Sequence, residues 1–368
     1  MTGLALAGLG LWVLIALLPW RPWSTRETLN ALPRTDDLSD VTALVPARDE
    51  VEHIERTLRS LAAQDARMRI ILVDDESTDG TGARARELQL PQLTVLEGRP
   101  HAPGWSGKLW ALEQGRAQVR TPLTLLVDAD ITLDPGLVAA LRDKLRLEGL
   151  ASASLMVQLR MRGFWERLLV PAFVYFFKLL YPFRLANSSV PWVAAAAGGC
   201  ILVRTEVLDS IGGFGALRGA LIDDCTLARL IKSRGYRSFI GLTRSAHSRR
   251  RYDDLRALWD MVARTAYTQL RYSPALLALC TLLMLLAFVV PVAAVAAGGA
   301  PARLGAAAWV IMAATFYPTI AYYRLPPAWA LALPAAGALY LGMTWSSALR
   351  FWRGERSRWK GRSYRGPA

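Results

Sequence analysis

The sequence predicts an α/β fold with a mostly parallel sheet flanked by helices, together with transmembrane helices at both ends of the chain. Short apolar runs alternate with amphipathic helical stretches from residue 41 onward, a pattern typical of a parallel sheet covered on both faces. The middle of the chain, about residues 28–272, carries mixed charges, as a soluble domain does. Four other stretches contain no charged residue and are long enough to cross a membrane as helices: 3–20, 274–299, 304–323 and 327–348.

Strands and helices alternate in the first half of the soluble region. The predicted strands cover residues 41–47, 69–73, 93–97 and 122–127, and the predicted helices cover 49–63, 77–88 and about 107–119. In a sheet of this kind, ligands bind outside the carboxyl ends of the strands. The carboxylates that follow strands directly are therefore candidates for a ligand site: Asp74, Asp75, Asp128 and Asp130.

The N-terminal segment, residues 1–21, is interpreted as an uncleaved transmembrane anchor. It lacks a basic region before its apolar run and a small-residue cleavage site after it, which disfavours a secretory signal peptide. Arg21 follows the apolar run directly, and positive charge marks the cytoplasmic side of a membrane. The domain of residues 40–272 is therefore predicted to lie in the cytoplasm.

Residues 274–348 are predicted to form a C-terminal transmembrane region, followed by a basic cytoplasmic tail over residues 349–368. The tail contains seven Lys or Arg residues against Glu355, and the whole chain carries a net charge of +14. Nucleic-acid binding is one interpretation, but a basic segment beside an apolar span is more typical of contact with anionic lipid. Because a cytoplasmic tail conflicts with three full crossings, segment 327–348, which contains Pro334, is predicted to be re-entrant or interfacial.

Residues 160–184 differ from the rest of the soluble region. They carry eight aromatic residues, basic residues at both ends and Lys178 inside. One interpretation is a segment that lies in the membrane interface, half buried among the headgroups. The other is an ordinary buried helix, and the sequence does not decide between them.

Two short motifs have the chemistry of a nucleoside-diphosphate site. Asp128 and Asp130 follow a strand in LLVDADIT, where such a pair can share one divalent cation whose other ligands are phosphate oxygens. The loop GWSGK, residues 104–108, ends in Lys108 at a predicted helix start, and an ammonium beside backbone N–H groups suits a diphosphate. Each motif alone is ambiguous, because a D-x-D occurs by chance and a loop lysine is often only solvated. No Walker loop is present, and no G-x-G-x-x-G follows a strand, which disfavours a dinucleotide cofactor.

A later acid pair, Asp223 and Asp224, stands at the start of an amphipathic helix within residues 220–238. Carboxylates at a helix start are often only caps. In a pocket, however, one of them can act as a general base that takes a proton from a hydroxyl nucleophile. His247, in RSAHSRRR, is interpreted as structural, as a lone histidine more often is.

The order of these motifs along residues 40–272 resembles the family 2 glycosyltransferases, which are inverting enzymes with the GT-A fold. The segments that carry the resemblance are VPARDE (45–50), VDDESTDGT (73–81), GWSGKLWALEQG (104–115), DAD (128–130), GGCILVRTEVLDSIGGF (198–214) and DDCTLARLIKSRGY (223–236). With the membrane segments and the ending WKGRSY, the chain is most similar to the ceramide-glucosyltransferase-like, hopanoid-associated branch of that family.

The resemblance implies a role for each matching residue. It implies donor binding by Asp74, Asp75, Lys108, Asp128 and Arg271, metal binding by Asp128 and Asp130, and general-base catalysis by Asp224. In the implied site, Asp75 contacts the nucleobase, for which a uracil N–H is a good partner, and Mg²⁺ or Mn²⁺ lies at the donor diphosphate. The chain departs from the family pattern twice. The acid pair is usually Glu-Asp, and the usual Q-x-x-R-W is TQLRY here, which keeps only Arg271.

The resemblance implies a multi-pass enzyme of a bacterial-type inner membrane that moves a sugar from a UDP-linked donor to a lipid acceptor such as a hopanoid. Membrane lipids are its other expected partners, and no nucleic acid is expected. Two alternatives stay open. LVDADIT also fits the aspartyl-nucleophile motif of haloacid-dehalogenase-type phosphatases, although three predicted strands would then precede it without a role. A membrane scaffold or transporter would leave the acidic motifs unexplained, and the apolar spans contain no carboxylate for an ion path.

Overall fold

The structure is a computed structural model that describes residues 1–355 and the short strands Arg358–Trp359 and Arg362–Ser363. The chain divides into two compact units, which we describe separately. The sheet unit contains Glu27–Arg160 and Leu185–Arg250. The helical unit contains Met1–Arg26, Met161–Arg184 and Arg251–Arg358.

The strands of the sheet unit are, in chain order, β1 Val41–Ala47, β2 Arg69–Asp74, β3 Leu93–Glu97, β4 Leu123–Val127, β5 Ile131–Leu133, β6 Ser152–Gln158, β7 Cys200–Arg204 and β8 Ser238–Ser248. The helices of the whole chain are α1 Thr2–Leu17, α2 Val51–Ala62, α3 Thr81–Glu87, α4 Gly107–Arg116, α5 Leu137–Glu148, α6 Phe164–Leu180, α7 Phe183–Ala186, α8 Thr205–Ser210, α9 Asp223–Ser233, α10 Leu255–Ala263, α11 Ala266–Gln269, α12 Pro274–Met284, α13 Val290–Ala297, α14 Gly299–Tyr322 and α15 Leu333–Trp352.

All eight strands of the sheet unit form one sheet in the order β3-β2-β1-β4-β7-β6-β8-β5. Strands β1 to β4 pair in parallel with one another, and β6 pairs in parallel with β8. Strand β7 is antiparallel to both neighbours, and β5 is antiparallel to β8. The predicted α/β fold with a mostly parallel sheet is confirmed, although the sheet is mixed because of β7 and β5.

Apolar side chains cover both faces of the sheet. Ile54, Leu58 and Leu61 of α2 are fully buried in one hydrophobic cluster, as expected from their helical spacing. Leu109 and Leu112 of α4 belong to the cluster on the other face. The two clusters hold the strands rigidly, so the loops at the carboxyl ends of the strands project from a fixed frame.

One glycine sets how closely α4 approaches the sheet. A Cβ at Gly115 would lie 2.2 Å from Leu44 Cδ1 on β1 and 2.9 Å from Val73 Cγ2 on β2. No larger residue fits there without moving the helix. Because Lys108 lies at the start of the same helix, this contact contributes to its position.

The helical unit has three C-terminal helical stretches that are long and apolar enough to cross a membrane: Pro274–Ala297, Gly299–Tyr322 and Pro327–Trp352. At the N-terminus the apolar helix is shorter than the predicted segment of residues 1–21, and a crossing there remains a prediction. Helix α1 contains 16 residues and ends at Leu17, so it spans about 24 Å, less than the hydrocarbon core of about 30 Å. Leu18 is extended, with φ −53° and ψ 126°, because the ring of Pro19 disfavours the helical conformation in the residue before it.

Helix α6 covers most of segment 160–184 and packs within the helical unit. Tyr340 donates a hydrogen bond from its hydroxyl to the Leu169 carbonyl oxygen at 3.0 Å, and the hydroxyls of Tyr175 and Thr315 are 2.9 Å apart. One face of α6 is therefore buried against α14 and α15. The interfacial position of this segment remains a prediction. Residues 356, 357, 360, 361 and 364–368 of the predicted basic tail lie outside the described residues.

Candidate active site

Polar groups converge at the carboxyl ends of the parallel strands β2, β1 and β4. Asp75 follows β2, Arg48 follows β1 and Asp128 follows β4. Because β1 lies between the other two strands, these three positions are neighbours along one edge of the sheet. Asp75 and Asp128 thus follow strands at this edge, and their role in binding a ligand remains a prediction.

Asp75 is fully buried at that edge. Its N–H donates to the Ala47 carbonyl oxygen at 2.8 Å. Arg48 Nη1 donates to the Asp75 carbonyl oxygen at 2.6 Å and lies 3.9 Å from Asp75 Oδ2. A positively charged guanidinium therefore lies close to a carboxyl group that has no contact with solvent.

Asp74 occupies a different environment, in the turn that leads to α3. Its Oδ1 accepts a hydrogen bond from the Ser77 N–H at 3.2 Å. A Cβ at Gly82 would lie 2.2 Å from Asp74 Oδ2, so this carboxylate packs against the backbone of α3. The contacts of Asp74 are those of a side chain that orders the turn.

Lys108 forms an ion pair with the first acid of the D-x-D motif. Its Nζ lies 2.7 Å from Asp128 Oδ1 and 3.7 Å from Asp223 Oδ2. Ser106 caps α4 by accepting the Leu109 N–H at 3.4 Å, which fixes the turn that carries the lysine. Burial lowers the pKa of Lys108, but the carboxylates of Asp128 and Asp223 outweigh it and raise that pKa above its ordinary value.

Asp224 lies at the start of α9. Its Oδ2 accepts the Gly198 N–H at 2.9 Å, and its Oδ1 accepts the Cys225 N–H at 2.7 Å. A Cβ at Gly198 would lie 3.3 Å from Asp224 Oδ2 and 3.6 Å from Lys108 Nζ. The loop before β7 therefore lies close to both groups, and a side chain at position 198 would crowd the Asp224 carboxylate.

The surroundings of Asp224 raise its affinity for a proton. Burial raises the pKa of Asp224 to about 6, and the carboxylate of Asp223 adds to the rise. The Cys225 N–H, the Lys108 ammonium and the Gly198 N–H oppose it. Such a group is ionised at neutral pH and still basic enough to remove a proton from a bound hydroxyl.

Asp130 is bound by residues that sequence reasoning missed. Ser248 donates from Oγ to Asp130 Oδ2 at 2.7 Å, and Arg250 Nε lies 3.5 Å from the same oxygen. Arg250 Nη2 also donates to Glu50 Oε1 at 2.7 Å. The only available signal was the arginine run that follows His247. His247 itself lies with Nε2 3.3 Å from Asp134 Oδ1.

The donor set of the D-x-D motif fits a divalent cation that is shared with a phosphate ligand. Among the described residues, Asp128 Oδ1 and Asp130 Oδ2 are the oxygens of this pair that form ion pairs or side-chain hydrogen bonds, which leaves Asp128 Oδ2 and Asp130 Oδ1 for other ligands. No group of three or more His, Cys, Asp or Glu side chains within the described residues is arranged to hold a metal ion by itself. Hard cations such as Mg²⁺ commonly take one or two carboxylates and complete their coordination with substrate phosphates and water.

Arg271 belongs to the helical unit, where it follows α11 in a left-handed conformation with φ 52°. Tyr272 is also left-handed, with φ 56°, and its carbonyl oxygen accepts a hydrogen bond from the Tyr267 hydroxyl at 2.9 Å. These contacts order the end of the TQLRY segment. Donor binding by Arg271 remains a prediction.

The family model described as "Glycosyltransferase like family 2" matches residues 39–264. Over 129 residues the chain is 33% identical to the 4,4'-diaponeurosporenoate glycosyltransferase of Staphylococcus aureus (strain MRSA252). The aligned stretch covers 34% of each chain. Over 94 residues it is 30% identical to the protein of that name from Staphylococcus haemolyticus, covering 26% of this chain and 25% of the relative. The matches thus span about a quarter to a third of these curated relatives.

A solved structure resembles the chain over most of its length. It is the mannosyltransferase PcManGT from Pyrobaculum calidifontis in complex with GDP-Man and Mn²⁺. The TM-score is 0.56 with 20% sequence identity, and the alignment covers 92% of this chain and 98% of that chain. At 20% identity this similarity shows that the two chains share a fold.

Proposed function

We propose, from the premise that the chain belongs to glycosyltransferase family 2, that it transfers a sugar from a nucleotide-sugar donor to a hydroxyl of a lipid acceptor with inversion at the anomeric carbon. The α/β arrangement of the sheet unit is that of the GT-A fold. The rival phosphatase and the non-enzymatic scaffold or transporter do not account for a family match that covers residues 39–264.

The observation that carries the proposal is the convergence of charged groups around Lys108. Its ammonium lies 2.7 Å from Asp128 Oδ1 and 3.7 Å from Asp223 Oδ2. Asp224 adjoins the same place through the Gly198 loop. An ammonium that can contact a diphosphate therefore lies beside a carboxylate that can accept a proton, which is the pair of functions that sugar transfer from a nucleotide requires.

The proposed reaction uses these groups in one displacement. Asp224 takes the proton from the acceptor hydroxyl while the oxygen attacks the anomeric carbon. The bond from that carbon to the diphosphate oxygen breaks, and the electron pair leaves with the diphosphate. Lys108 stabilises the negative charge that develops there. Arg48 lies one strand away from Asp128 and Asp75 lies two strands away, at the same edge, which supports the proposal that Asp75 contacts the nucleobase of a UDP-linked donor.

We propose Mg²⁺ or Mn²⁺ as the cofactor, held by Asp128 and Asp130. A divalent cation at a diphosphate supplies neutralising charge to the leaving group. Ser248 and Arg250 both contact Oδ2 of Asp130 and so fix the orientation of its carboxylate. The other oxygen, Oδ1, is the one proposed to bind the cation. The PcManGT structure contains Mn²⁺ together with its nucleotide sugar, which is consistent with this proposal.

The acceptor is proposed to be an apolar lipid with a free hydroxyl. The three long apolar helices support an acceptor that is reached at a membrane. The resemblance implied a hopanoid, whereas the curated relatives are named for 4,4'-diaponeurosporenoate, so these relatives do not support a hopanoid in particular. We propose that the domain of residues 40–272 faces the cytoplasm of a bacterial-type inner membrane, where nucleotide sugars are available.

The test is a release assay on the purified full chain in detergent micelles. We expect nucleoside diphosphate release from one of UDP-glucose, UDP-galactose, UDP-N-acetylglucosamine or GDP-mannose in the presence of a divalent cation. Addition of a polyhydroxylated hopanoid or of 4,4'-diaponeurosporenoate should then yield a glycosylated lipid detectable by mass spectrometry. Inorganic phosphate release from a phosphomonoester, without any turnover of nucleotide sugars, would contradict the proposal.

A further inference from the structure

A buried lysine at the end of α9 holds the loop that leads into the candidate site. Lys232 is 6% exposed, and its Nζ donates to the carbonyl oxygens of Val193 at 2.6 Å, Val190 at 2.9 Å and Leu185 at 3.4 Å. The three donors of the ammonium are thus matched to three backbone acceptors. Among the described residues no carboxylate forms an ion pair with it. The contacts of Lys232 therefore serve to fix the backbone of residues 185–193.

The chain is fixed again just after this loop. The Ala197 N–H donates to Ser154 Oγ at 3.3 Å, and Gly198 donates to Asp224 as described above. The Gly199 carbonyl oxygen accepts the Asp128 N–H at 3.3 Å. Residues 185–199 are thereby connected at one end to Lys232 and at the other end to the proposed base, and both contacts are made by the same helix, α9.

One large apolar side chain on this fixed loop remains in solvent. Trp192 is 83% exposed, although its neighbours in sequence on the C-terminal side are buried from Ala194 onward. Gly198 is six positions further along the chain, so the chain places the two within about 20 Å of each other. The hydrogen bonds from Lys232 to Val190 and Val193 hold the backbone on both sides of Trp192, and a tryptophan offers a large contact area to an apolar ligand.

We propose that Trp192, held in place by Lys232, is the contact for the apolar body of the lipid acceptor. This inference rests on the proposed function, since it assigns the acceptor side of the same site. A lipid whose hydroxyl lies at Asp224 extends past the Gly198 loop, and its apolar part then lies on the Trp192 indole. Trp192 is a binding residue in this account, and Lys232 is a positioning residue.

The direct test is photolabelling of the full chain in dodecyl maltoside micelles with hexadecanol that carries a diazirine. We expect labelled residues within 185–199, and Trp192→Ala should raise the probe concentration for half-maximal labelling about tenfold, the loss typical of an exposed aromatic contact. The matched control is Leu147→Ala, because Leu147 is 86% exposed on α5 of the same unit. The proposal is overturned if the segment is not labelled, or if both variants label like the wild type.

Lys232 is tested by kinetics and by rescue. Lys232→Met should raise the KM for the lipid acceptor about tenfold, while the KM for the nucleotide sugar in acceptor-free hydrolysis stays unchanged. Lys232→Arg, which keeps the charge and several donors, should restore part of the loss. An equal rise in the KM for the nucleotide sugar and in the KM for the acceptor would show a general structural role. It would overturn the proposal that Lys232 positions the loop for the acceptor.

The two proposals fail in different ways. If the loop is labelled as expected but no nucleotide sugar is turned over, the proposed function fails and a lipid site remains. If the sugar is transferred but Trp192→Ala leaves both labelling and the acceptor KM unchanged, the function stands and the Trp192 contact is overturned. A loss of vesicle binding in Trp192→Ala with unchanged labelling would assign the indole to the bilayer and likewise overturn the acceptor contact.

Discussion

Lys108 Nζ lies 2.7 Å from Asp128 Oδ1, and this ion pair places a positive charge among several carboxylates at the carboxyl edge of the sheet. Asp223 approaches the same ammonium at 3.7 Å. Without the lysine, the carboxylates would repel one another in a partly buried site. The ion pair therefore connects two properties that can be measured separately, the affinity for the donor and the proton affinity of Asp224.

Lys108→Met should affect both properties. We expect kcat/KM for the nucleotide sugar to fall by about 10²–10³, the usual scale for removing one group that stabilises developing negative charge. Because the Lys108 ammonium lowers the pKa of Asp224, its removal should also move the acid limb of the kcat/KM profile to higher pH. Lys108→Arg is the matched control and should retain the position of the acid limb. An unchanged acid limb in Lys108→Met would contradict the proposed electrostatic connection.

Asp224→Asn should remove the general base. We expect kcat to fall by about 10²–10⁴ while the affinity for the nucleotide sugar survives, because an amide cannot accept the proton but fills the same space. Donor affinity can be measured by isothermal calorimetry with UDP. Asp223→Asn is the control on the neighbouring residue, and we expect a milder effect. If Asp224→Asn loses donor affinity as strongly as rate, its carboxylate is a structural cap of α9.

The wild-type enzyme should lose activity as the pH falls through the pKa of Asp224. That pKa is raised to about 6, chiefly by burial, so the carboxylate is ionised above this pH and protonated below it. A base must be ionised to act, so kcat/KM should be constant above about pH 7 and fall about tenfold per pH unit well below pH 6. Steady-state kinetics between pH 5 and pH 8 would check this. A profile that is flat across that range would rule out Asp224 as the titrating base.

Asp130→Asn should abolish transfer and weaken metal-dependent donor binding, because neutral amides are poor ligands for hard cations. The measurement is the affinity for UDP with and without Mn²⁺, which should differ in the wild type and be equal in the variant. Ser248→Ala is an informative companion, since it removes the 2.7 Å hydrogen bond to Asp130 and leaves the charge. Wild-type activity in excess EDTA would contradict the metal assignment.

Local patterns predicted the first half of the sheet unit but not the second half. The predicted strands at 41–47 and 93–97 match β1 and β3 residue for residue. The helix predicted from residue 77 begins at Thr81, because Asp74 accepts the Ser77 N–H and keeps the chain in a turn. The antiparallel insertion of β7 between β4 and β6 depends on pairing between residues distant in sequence, which no local period records.

The same distinction applies to the site. Acids at strand ends were visible in the sequence because strand and motif are contiguous. The Ser248 and Arg250 contacts to Asp130 were not, since they join residues separated by 118 and 120 positions. Lys232 was also missed. A lysine in the last turn of an amphipathic helix ordinarily faces solvent, and only the tertiary structure shows it buried under a loop.

The membrane topology of the C-terminal region follows from a competition between apolar length and charge. Three stretches have the length and composition to cross, and the stretch Pro327–Trp352 begins as a 3₁₀ turn over Pro327–Ala332 before α15. Three crossings would place the tail opposite the catalytic domain. Its seven basic residues oppose that outcome, because each is worth about 1 kcal/mol near an anionic leaflet. We therefore predict a cytoplasmic tail, with segment 327–348 re-entrant or interfacial.

A cysteine at Ser363 reports the side on which the tail lies. In intact cells that express Ser363→Cys, a membrane-impermeant maleimide should label the protein only after permeabilisation. Any background labelling would come from the native cysteine thiols. Cys200 and Cys225 are buried, whereas Cys280 is partly exposed. The matched control is therefore Ser363→Cys combined with Cys280→Ser. Labelling of Ser363→Cys without permeabilisation would place the tail outside. It would also contradict two crossings, since an odd number of crossings, one or three, is needed to separate the tail from a cytoplasmic domain.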